Sequence, residues 1–361
     1  MTTSPPSSHP RVIGIDPGTV SIDFCGVQGD HVFLDRTIPT AEALADPAMV
    51  VALLGAEGPV DLIAGPSGYG LPLTSASELT EADLRLAFLS LPDGSSAGAL
   101  DGLTALVRAL TAARLPVVFT PGVVHLDTVP AYRKINRIDL GTADKVCATA
   151  LAVDEQCQRR GCPPEAVSLI LVELGGAFTA AVAVAHGRIV DGLGGSSGPI
   201  GLRAAGAWDG EVAALAGHVT KAMLFAGGVE TVSAAADQQM AWDAYVEGAA
   251  KAVAVLSVAV PAPAEIVLSG RLAWVDSVYA TIAGRLARVA PVRRLNGFAA
   301  VVKQAAQGAA LIADGLAGGT RQALVDTLGI RTAHGSALDH LYVISADAAR
   351  ARLQGAAGVA A

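Results

Sequence analysis

Residues 13–19 read IGIDPGT, an apolar run that ends in the acid Asp16 and leads into a Pro-Gly turn. Two further apolar runs follow at 21–27 and 31–34, separated by the turn QGD at 28–30. Short runs joined by tight turns are typical of an antiparallel β-meander. We therefore predict that the chain opens with three hairpin-connected strands.

Alternating helix and strand patterns follow this meander. Helical spacing of apolar residues occupies 41–54 and 97–113, and buried strand patterns occupy 60–64 and 115–120. A meander followed by such alternation predicts a mixed α/β sheet.

The same order of patterns recurs further along the chain. A second meander is predicted from runs at 168–174, 178–185 and 188–190, followed by helices at 240–258, 272–289 and 298–316 and by strands at 265–268 and 292–295. We therefore predict an α/β protein of two duplicated β-β-β-α-β-α-β-α units. A long amphipathic helix at 141–160 joins them, and 298–316 holds the equivalent place in the second unit.

The length of 361 residues agrees with two domains, at roughly 150 residues per domain. The predicted segments are a disordered tail (1–10), an N-terminal unit (11–145), a C-terminal unit (146–334) and a C-terminal extension (335–361) with a strand at 341–344.

Composition excludes several classes of protein. With 52% hydrophobic and 16% charged residues, the chain is too apolar to be intrinsically disordered. A net charge of −8 argues against a broad electrostatic grip on nucleic acid or on an anionic membrane. Any anionic ligand must therefore be held locally.

The same composition bears on location. The longest apolar stretch, 249–268, is interrupted by Lys251, Pro261, Pro263 and Glu265, so we do not expect it to span a bilayer. The first ten residues lack the basic patch and apolar run of a signal peptide, and the four cysteines form no CxxC pair. We expect a cytoplasmic protein with reduced thiols.

The turn after Asp16 suits a phosphate group with a divalent cation. A strand that ends in a carboxylate can hold Mg²⁺, here through water, and the turn beyond it brings Gly18, Thr19 and Ser21 to phosphoryl oxygens. The alternative is an ordinary hairpin with an acid at its turn.

The corresponding turn of the second meander follows Glu173. Its paired glycines, Gly175 and Gly176, permit positive φ and expose consecutive N–H groups, which predicts an anion-binding nest with Thr179 just beyond it. Two such hairpins facing each other would clamp a triphosphate. A plain Gly-Gly turn is the alternative.

A third element is Ser269-Gly270-Arg271, which links a buried strand to a helix start. Small residues at such a turn allow an adenine and its ribose to lie against the helix N-terminus. We expect these residues to complete the nucleotide site.

Two polar segments are candidates for the acceptor side. Ser67, Gly68 and Tyr69 follow a buried strand, so they belong at the carboxyl edge of the first sheet, where open α/β sheets bind ligands. The Gly-rich stretch 191–199 and Arg203 can cover the cleft, with the arginine pairing with a substrate carboxylate. Flexible surface loops are the alternative for both.

Residues 133–145 are unusually polar for this chain. In a functional interpretation, an acid of this segment orients or deprotonates the acceptor, and a cation neutralises the transferring phosphoryl group. In the alternative, the acids and cations are solvated around a helix that Thr142 caps. The candidates are Asp139 and Asp144 as acids, Arg137 and Lys145 as catalytic cations, and Lys134 and Asn136 on the substrate side.

The motifs IGIDPGT, GPSGYGLP, DLGTADK, ELGGAFTAA, DGLGG and LSGR together resemble the superfamily of acetate kinases, sugar kinases, heat-shock ATPase chaperones and actin. More narrowly, residues 11–345 resemble the family of predicted butyrate kinases. The resemblance implies two ribonuclease-H-like domains around a nucleotide cleft, ATP and Mg²⁺ as cofactors, and a short-chain carboxylate acceptor. Many superfamily members have Asp where this chain has Glu173, so a direct or a water-mediated metal contact stays open there.

Three functions remain open on the sequence. The first is an ATP-dependent kinase that transfers the γ-phosphoryl group to a small molecule. The second is a ligase or transferase that acts through an acyl phosphate, and the third is a nucleotide-binding regulator without turnover. We expect a small-molecule substrate and neither nucleic acid nor membrane as a partner, with a homodimer left open.

Overall fold

Two β-sheets organise the fold of the computed structural model, which describes residues 9–66, 68–69, 71–91 and 99–355. Most of the predicted N-terminal tail, Ser67 and the end of the extension lie outside these ranges. The strands are β1 (Arg11–Pro17), β2 (Ser21–Gln28), β3 (His31–Pro39), β4 (Leu62–Pro66), β5 (Thr74–Ser75), β6 (Val117–Thr120), β7 (Leu169–Leu174), β8 (Thr179–Ala185), β9 (Arg188–Leu193), β10 (Glu265–Ser269) and β11 (Val292–Arg294).

The two sheets share one topology. Their strand orders are β3-β2-β1-β4-β6-β5 and β11-β10-β7-β8-β9. In each sheet, the three strands of the meander pair antiparallel. The first of these strands also pairs in parallel with the first strand after the meander, β1 with β4 and β7 with β10. The short strand β5 adds an edge to the first sheet. The structure therefore confirms the predicted duplicated α/β fold.

Helices cover both sheets and connect them. They are α1 (Thr40–Ala45), α2 (Pro47–Ala56), α3 (Glu81–Phe88), α4 (Ala99–Ala112), α5 (Ala131–Lys134), α6 (Ala143–Arg160), α7 (Gly210–Ala216), α8 (Val229–Ala235), α9 (Gln238–Leu256), α10 (Asp276–Leu286), α11 (Gln304–Leu316), α12 (Gln322–Thr327) and α13 (Ala346–Gln354). The predicted domain boundary after residue 145 falls within α6 and stays a prediction. No helix in the described ranges is long and apolar enough to cross a membrane.

Helices α6 and α11 form the centre of the molecule. Helix α11 packs against β1, β4 and α6, although it follows the second sheet in sequence. Small residues permit this approach, because a Cβ on Gly14 would lie 2.2 Å from the carbonyl oxygen of Ala306, and one on Gly308 would lie 1.8 Å from that of Cys147. The central core therefore joins the two halves through a glycine- and alanine-lined contact.

Three predicted elements differ from the observed ones. The helix predicted at 298–316 begins at Gln304, because the N–H groups of residues 300–302 donate to the carboxylate of Asp35 at 2.9–3.2 Å. The helix predicted at 41–54 is divided by Pro47, whose helix is capped by Asp46. The strand predicted at 341–344 is a turn, since Tyr342 and Val343 donate their N–H groups to Asn136 Oδ1.

Candidate functional site

The first hairpin of the first meander carries a pair of buried carboxylates that one lysine binds. Asp16 on β1 lies directly opposite Asp23 on β2, and both are buried. Lys303, the residue before α11, places its Nζ 3.3 Å from Asp16 Oδ2, 2.5 Å from Asp23 Oδ2 and 3.0 Å from the carbonyl oxygen of Ser21. A residue nearly 290 positions away in sequence therefore completes the predicted Asp16 site.

The second meander carries an equivalent arrangement. Glu173 on β7 accepts a hydrogen bond from Lys145 Nζ at 3.1 Å, and the same ammonium lies 2.5 Å from Asp144 Oδ2. Thr142 Oγ1 donates to the other oxygen of Asp144 at 2.5 Å. Asp144 and Lys145 lie in the first turn of α6, so the predicted helix start brings both to the second hairpin.

Each hairpin thus receives its lysine from the other half of the chain. Helix α6 follows the first sheet and supplies Lys145 to Glu173, whereas α11 follows the second sheet and is preceded by Lys303, which binds Asp16. Burial is the main cause of the raised pKa of Glu173, and the charge of Asp16 acts in the same direction, so the two hairpins share one electrostatic environment. We call Asp16, Lys303, Lys145 and Glu173 the paired-charge site.

Burial and ion pairing oppose each other at this site. Burial raises the pKa of Asp16 and of Glu173 despite the lysine beside each. At Asp144 burial acts in the same direction, but Lys145 and Thr142 outweigh it and lower the pKa. Burial disfavours the charged form of Lys145, yet Asp144 and Glu173 more than compensate and raise its pKa. Lys145 is therefore a fixed cation, and Asp144 is a weak base.

The backbone of the two turns differs from the prediction. Neither Gly175 nor Gly176 has a positive φ, so the predicted left-handed nest is wrong in its conformation. Gly175 N–H donates to the carbonyl oxygen of Phe178 at 3.0 Å and closes the turn, whereas Gly176 N–H makes no hydrogen bond to any described residue. Thr179 is fully buried and lies beside the hydroxyl of Tyr245, in the core rather than at the turn.

The first turn is similarly self-contained. Gly18 N–H donates to the carbonyl oxygens of Asp16 and Ser21, each at 3.0 Å. Ser21 Oγ donates to Asp23 Oδ2 at 3.0 Å, while the side chain of Thr19 is exposed. A Cβ on Gly18 would lie 2.4 Å from Lys303 Nζ, so the glycine leaves room for the lysine.

The third predicted element adjoins the second hairpin. Ser269 is the parallel partner of Glu173, and its buried hydroxyl has no hydrogen bond partner among the described residues. Gly270 has φ +81°, and a Cβ there would lie 2.6 Å from the carbonyl oxygen of Leu174 and 3.1 Å from Glu173 Cγ. Arg271 is exposed at the start of the next turn. The LSGR turn therefore packs directly on the paired-charge site.

Asp139 organises the Gly-rich loop after β9. Its carboxylate accepts hydrogen bonds from Ser196 Oγ at 2.8 Å, from Ser196 N–H at 2.9 Å and from Gly141 N–H at 3.2 Å. A Cβ on Gly194 would lie 1.7 Å from Asp139 Oδ1, so only glycine fits there. Arg137 is exposed and lies near Asp191. These contacts support a structural use of the Asp139 carboxylate.

The predicted substrate residues lie in different places. Gly68, with φ +67°, accepts the N–H of Ala143 at 3.1 Å, so its loop touches the start of α6. Lys134 is buried and donates to the carbonyl oxygen of Leu126 at 2.9 Å, and Asn136 binds the C-terminal extension. Arg203 is exposed, with its guanidinium carbon 6.0 Å from the ring centroid of Phe225. Gly68 lies beside the site, while Lys134 and Asn136 make contacts within the fold.

Mg²⁺ fits the residues of the paired-charge site. This ion usually keeps several waters and uses one or two protein carboxylates beside substrate phosphates. Asp16 and Glu173 supply two carboxylates, and the buried Oε2 of Glu173 has no hydrogen bond partner among the described residues. The described residues contain no cluster of three or more His, Cys, Asp or Glu side chains suited to a metal.

Comparison with protein families matches residues 14–343 to the family described as "Protein of unknown function (DUF1464)". The chain belongs to this family. No curated protein sequence matches the chain.

Solved structures show the same fold at low sequence identity. A propionate kinase from Francisella tularensis subsp. tularensis SCHU S4 matches with a TM-score of 0.56 and 15% identity, over 83% of this chain and 98% of that one. An acetate kinase from Entamoeba histolytica matches with a TM-score of 0.55 and 12% identity, over 77% and 86%. The Porphyromonas gingivalis acetate kinase has a TM-score of 0.53 and 12% identity, over 78% and 88%. The DUF1464 chain therefore has the duplicated actin-like ATPase fold predicted for it.

Proposed function

We propose that this DUF1464 protein is an ATP-dependent kinase that transfers the γ-phosphoryl group to a small molecule. The observation that carries the proposal is the paired-charge site, where two lysines and two carboxylates, the buried Asp16 and the half-buried Glu173, come together from both halves at the hairpin turns. Phosphoryl transfer needs positioning and charge neutralisation more than covalent chemistry, and fixed cations beside carboxylates supply both. The kinase fold of the structural neighbours supports the same class of reaction.

The cofactors that this proposal requires are ATP and Mg²⁺. Bound Mg²⁺ supplies charge neutralisation at the phosphate oxygens, with Asp16 and Glu173 as the residues that would hold it. Lys145 stays protonated between its two carboxylates and orients them, and Lys303 does the same for Asp16 and Asp23. The Gly176 N–H, at the tip of the second turn, is available to a phosphate oxygen.

We propose a short-chain carboxylate, such as butyrate, as the acceptor. A hydroxyl acceptor requires a general base, whereas a carboxylate is already ionised at neutral pH. Asp139 already accepts three hydrogen bonds, and the lowered pKa of Asp144 makes it a poor base. The structural neighbours named for acetate and propionate support the same acceptor class.

The test combines nucleotide binding with turnover. We expect Mg-ATP to raise the melting temperature and ADP release to depend on a short-chain carboxylate, when carboxylates, sugars and amines are compared. Asp16→Asn should lower turnover at least about a hundredfold, because a carboxylate that would hold Mg²⁺ at the phosphate oxygens loses its charge. It should also raise the Mg²⁺ concentration needed for half-maximal rate.

Each other outcome points to a different function. ADP release that requires a second acceptor besides the carboxylate indicates a ligase or transferase acting through an acyl phosphate. Stabilisation by ATP without turnover indicates a regulator. No stabilisation by any nucleotide contradicts the proposal, and unchanged turnover in Asp16→Asn contradicts the metal role.

A further inference from the structure

Lys221 forms no ion pair in the described part of the chain. It precedes the short helical turn Ala222–Phe225, is half-buried, and makes neither a hydrogen bond nor an ion pair with any described residue. Its Nζ lies 4.9 Å from the ring centroid of Tyr69, in the range of a cation–π contact. Burial lowers the pKa of Lys221 to about 8, against the opposing effect of Asp139.

The position of Lys221 connects both halves to the start of α6. Tyr69 belongs to the first half, and its neighbour Gly68 accepts the N–H of Ala143 in the first turn of α6. On the other side, the ring of Phe225 packs edge-on against Phe178, with centroids 4.8 Å apart. Phe178 closes the Gly-Gly turn of the second hairpin. The helical turn that begins after Lys221 therefore links a loop of one half, through Lys221 and Tyr69, to the second hairpin, through Phe225 and Phe178.

A second cation adjoins the same surface. The guanidinium of Arg203 lies near the ring of Phe225, in the turn that follows Lys221. Arg203 makes no ion pair with any described residue. Aromatic rings beside unpaired cations suit a small anion with a short apolar body.

We infer that Lys221 is a specificity-determining residue that binds the carboxylate of the phosphoryl acceptor, with the Tyr69 ring beside the acceptor's apolar chain. The inference rests on the proposed kinase function. In the reaction a carboxylate oxygen forms a bond to the γ-phosphorus, the bond from that phosphorus to the β–γ bridging oxygen breaks, and ADP leaves with that electron pair. No proton is transferred. A cation at the acceptor reduces the repulsion between the carboxylate and the phosphate, both of which are anions.

The experiment compares two variants of Lys221 with a matched control. Lys221→Met removes the charge at similar length, and Lys221→Arg retains it. Lys251→Met is the control, since Lys251 is exposed on α9 and pairs with Glu247. We expect Lys221→Met to raise the KM for butyrate about tenfold or more, because a charge-assisted contact is lost, with the KM for ATP unchanged. Lys251→Met should change neither.

The pH dependence separates binding from a merely structural role. Asp139 and Tyr69 are the titratable groups that face Lys221, and Tyr69 stays neutral because burial raises its pKa. Lys221 is charged below about pH 8 and loses its proton above it, so the KM for butyrate should rise between pH 7 and pH 9. Lys221→Arg stays protonated and should abolish this rise.

The two proposals fail in different ways. If the wild type neither binds Mg-ATP nor releases ADP, the proposed function is wrong and the inference is wrong with it. If the wild type phosphorylates a carboxylate but Lys221→Met leaves the KM for that carboxylate unchanged, the inference alone is overturned. If only uncharged acceptors react, the proposed carboxylate acceptor and the inference are both overturned, while the kinase function stands.

Discussion

The two hairpins of the paired-charge site have the same plan but different exposure. At the first hairpin, the lysine is 41% exposed and reaches two carboxylates and a carbonyl oxygen. At the second, the lysine is 12% exposed and is enclosed by Asp144 and Glu173. Both hairpins therefore receive a lysine from the other half of the chain, but the two lysines differ in their exposure to solvent.

This difference separates a rigid half of the site from an adjustable one. A buried ammonium between two carboxylates costs much to disturb, because each remaining charge is left without a partner in a poorly solvated place. A half-exposed ammonium can be replaced by water and can move toward a phosphate. We therefore expect Lys145 to matter for folding and function, and Lys303 mainly for function.

The largest effect is expected from Lys145→Met. It leaves the half-buried carboxylates of Asp144 and Glu173 without their counter-ion and should lower the free energy of unfolding by about 3–5 kcal/mol at pH 7. Without the lysine, the folded-state pKa of Glu173 rises further above 4.5. The protonated carboxyl of Glu173 then favours the folded state below pH 4.5, and this contribution is lost as the pH rises. The loss of stability relative to the wild type should therefore be smaller at pH 5 than at pH 7. Urea unfolding at both pH values measures this, and a loss under about 1 kcal/mol would show that the pair is solvated.

A smaller loss of stability is expected from Lys303→Met. Ser21 still donates to Asp23, and solvent reaches the vacated position, so the cost should be about 1–2 kcal/mol, less than for Lys145→Met. ADP release should nevertheless fall sharply, because Asp16 loses the cation that orients it. The same urea series with turnover assays tests this, and a cost that exceeds that of Lys145→Met would reverse the comparison.

The smallest effect on stability is expected from Glu173→Gln. Burial raises the pKa of Glu173, so the ionised form costs the folded state free energy at pH 7 that a neutral amide does not. The variant should unfold within about 1 kcal/mol of the wild type at pH 7 while losing turnover. Because the pKa of Glu173 is raised above 4.5, lowering the pH toward 5 favours the protonated folded state, and the wild type should gain stability relative to the variant. If acidification instead lowers the free energy of unfolding of the wild type relative to that of Glu173→Gln, the raised pKa of Glu173 is contradicted.

Much of the fold was predictable because it depends on local patterns. The IGIDPGT run, its counterpart ending in Glu173, and the turns between strands predict two meanders, and both sheets contain them. Capping by distant side chains was not predictable. Asp35 binds the N–H groups ahead of α11, and Asn136 binds those of the extension, since each contact joins residues more than 200 positions apart.

The site was predictable only in part. The acids Asp16 and Glu173 and the pair Asp144 and Lys145 stand at turns and at a helix start, where polar residues in an apolar chain are conspicuous. Lys303 lies between an apolar loop and an alanine-rich helix, and no local pattern distinguished it. Asp23 has only a weak local signal, an acid inside an apolar strand run.

The sequence by itself determined the strands, their turns, the repeat and the carboxylates at the ends of β1 and β7, because each depends on neighbours a few residues away. Only the tertiary structure decided which lysine each carboxylate received. Helices α6 and α11 pack between the sheets through close glycine contacts, and this packing carries each lysine to the opposite hairpin. Charge pairing favours that exchange, since the carboxylates of Asp16 and Glu173 are each paired with a lysine that their own half does not supply.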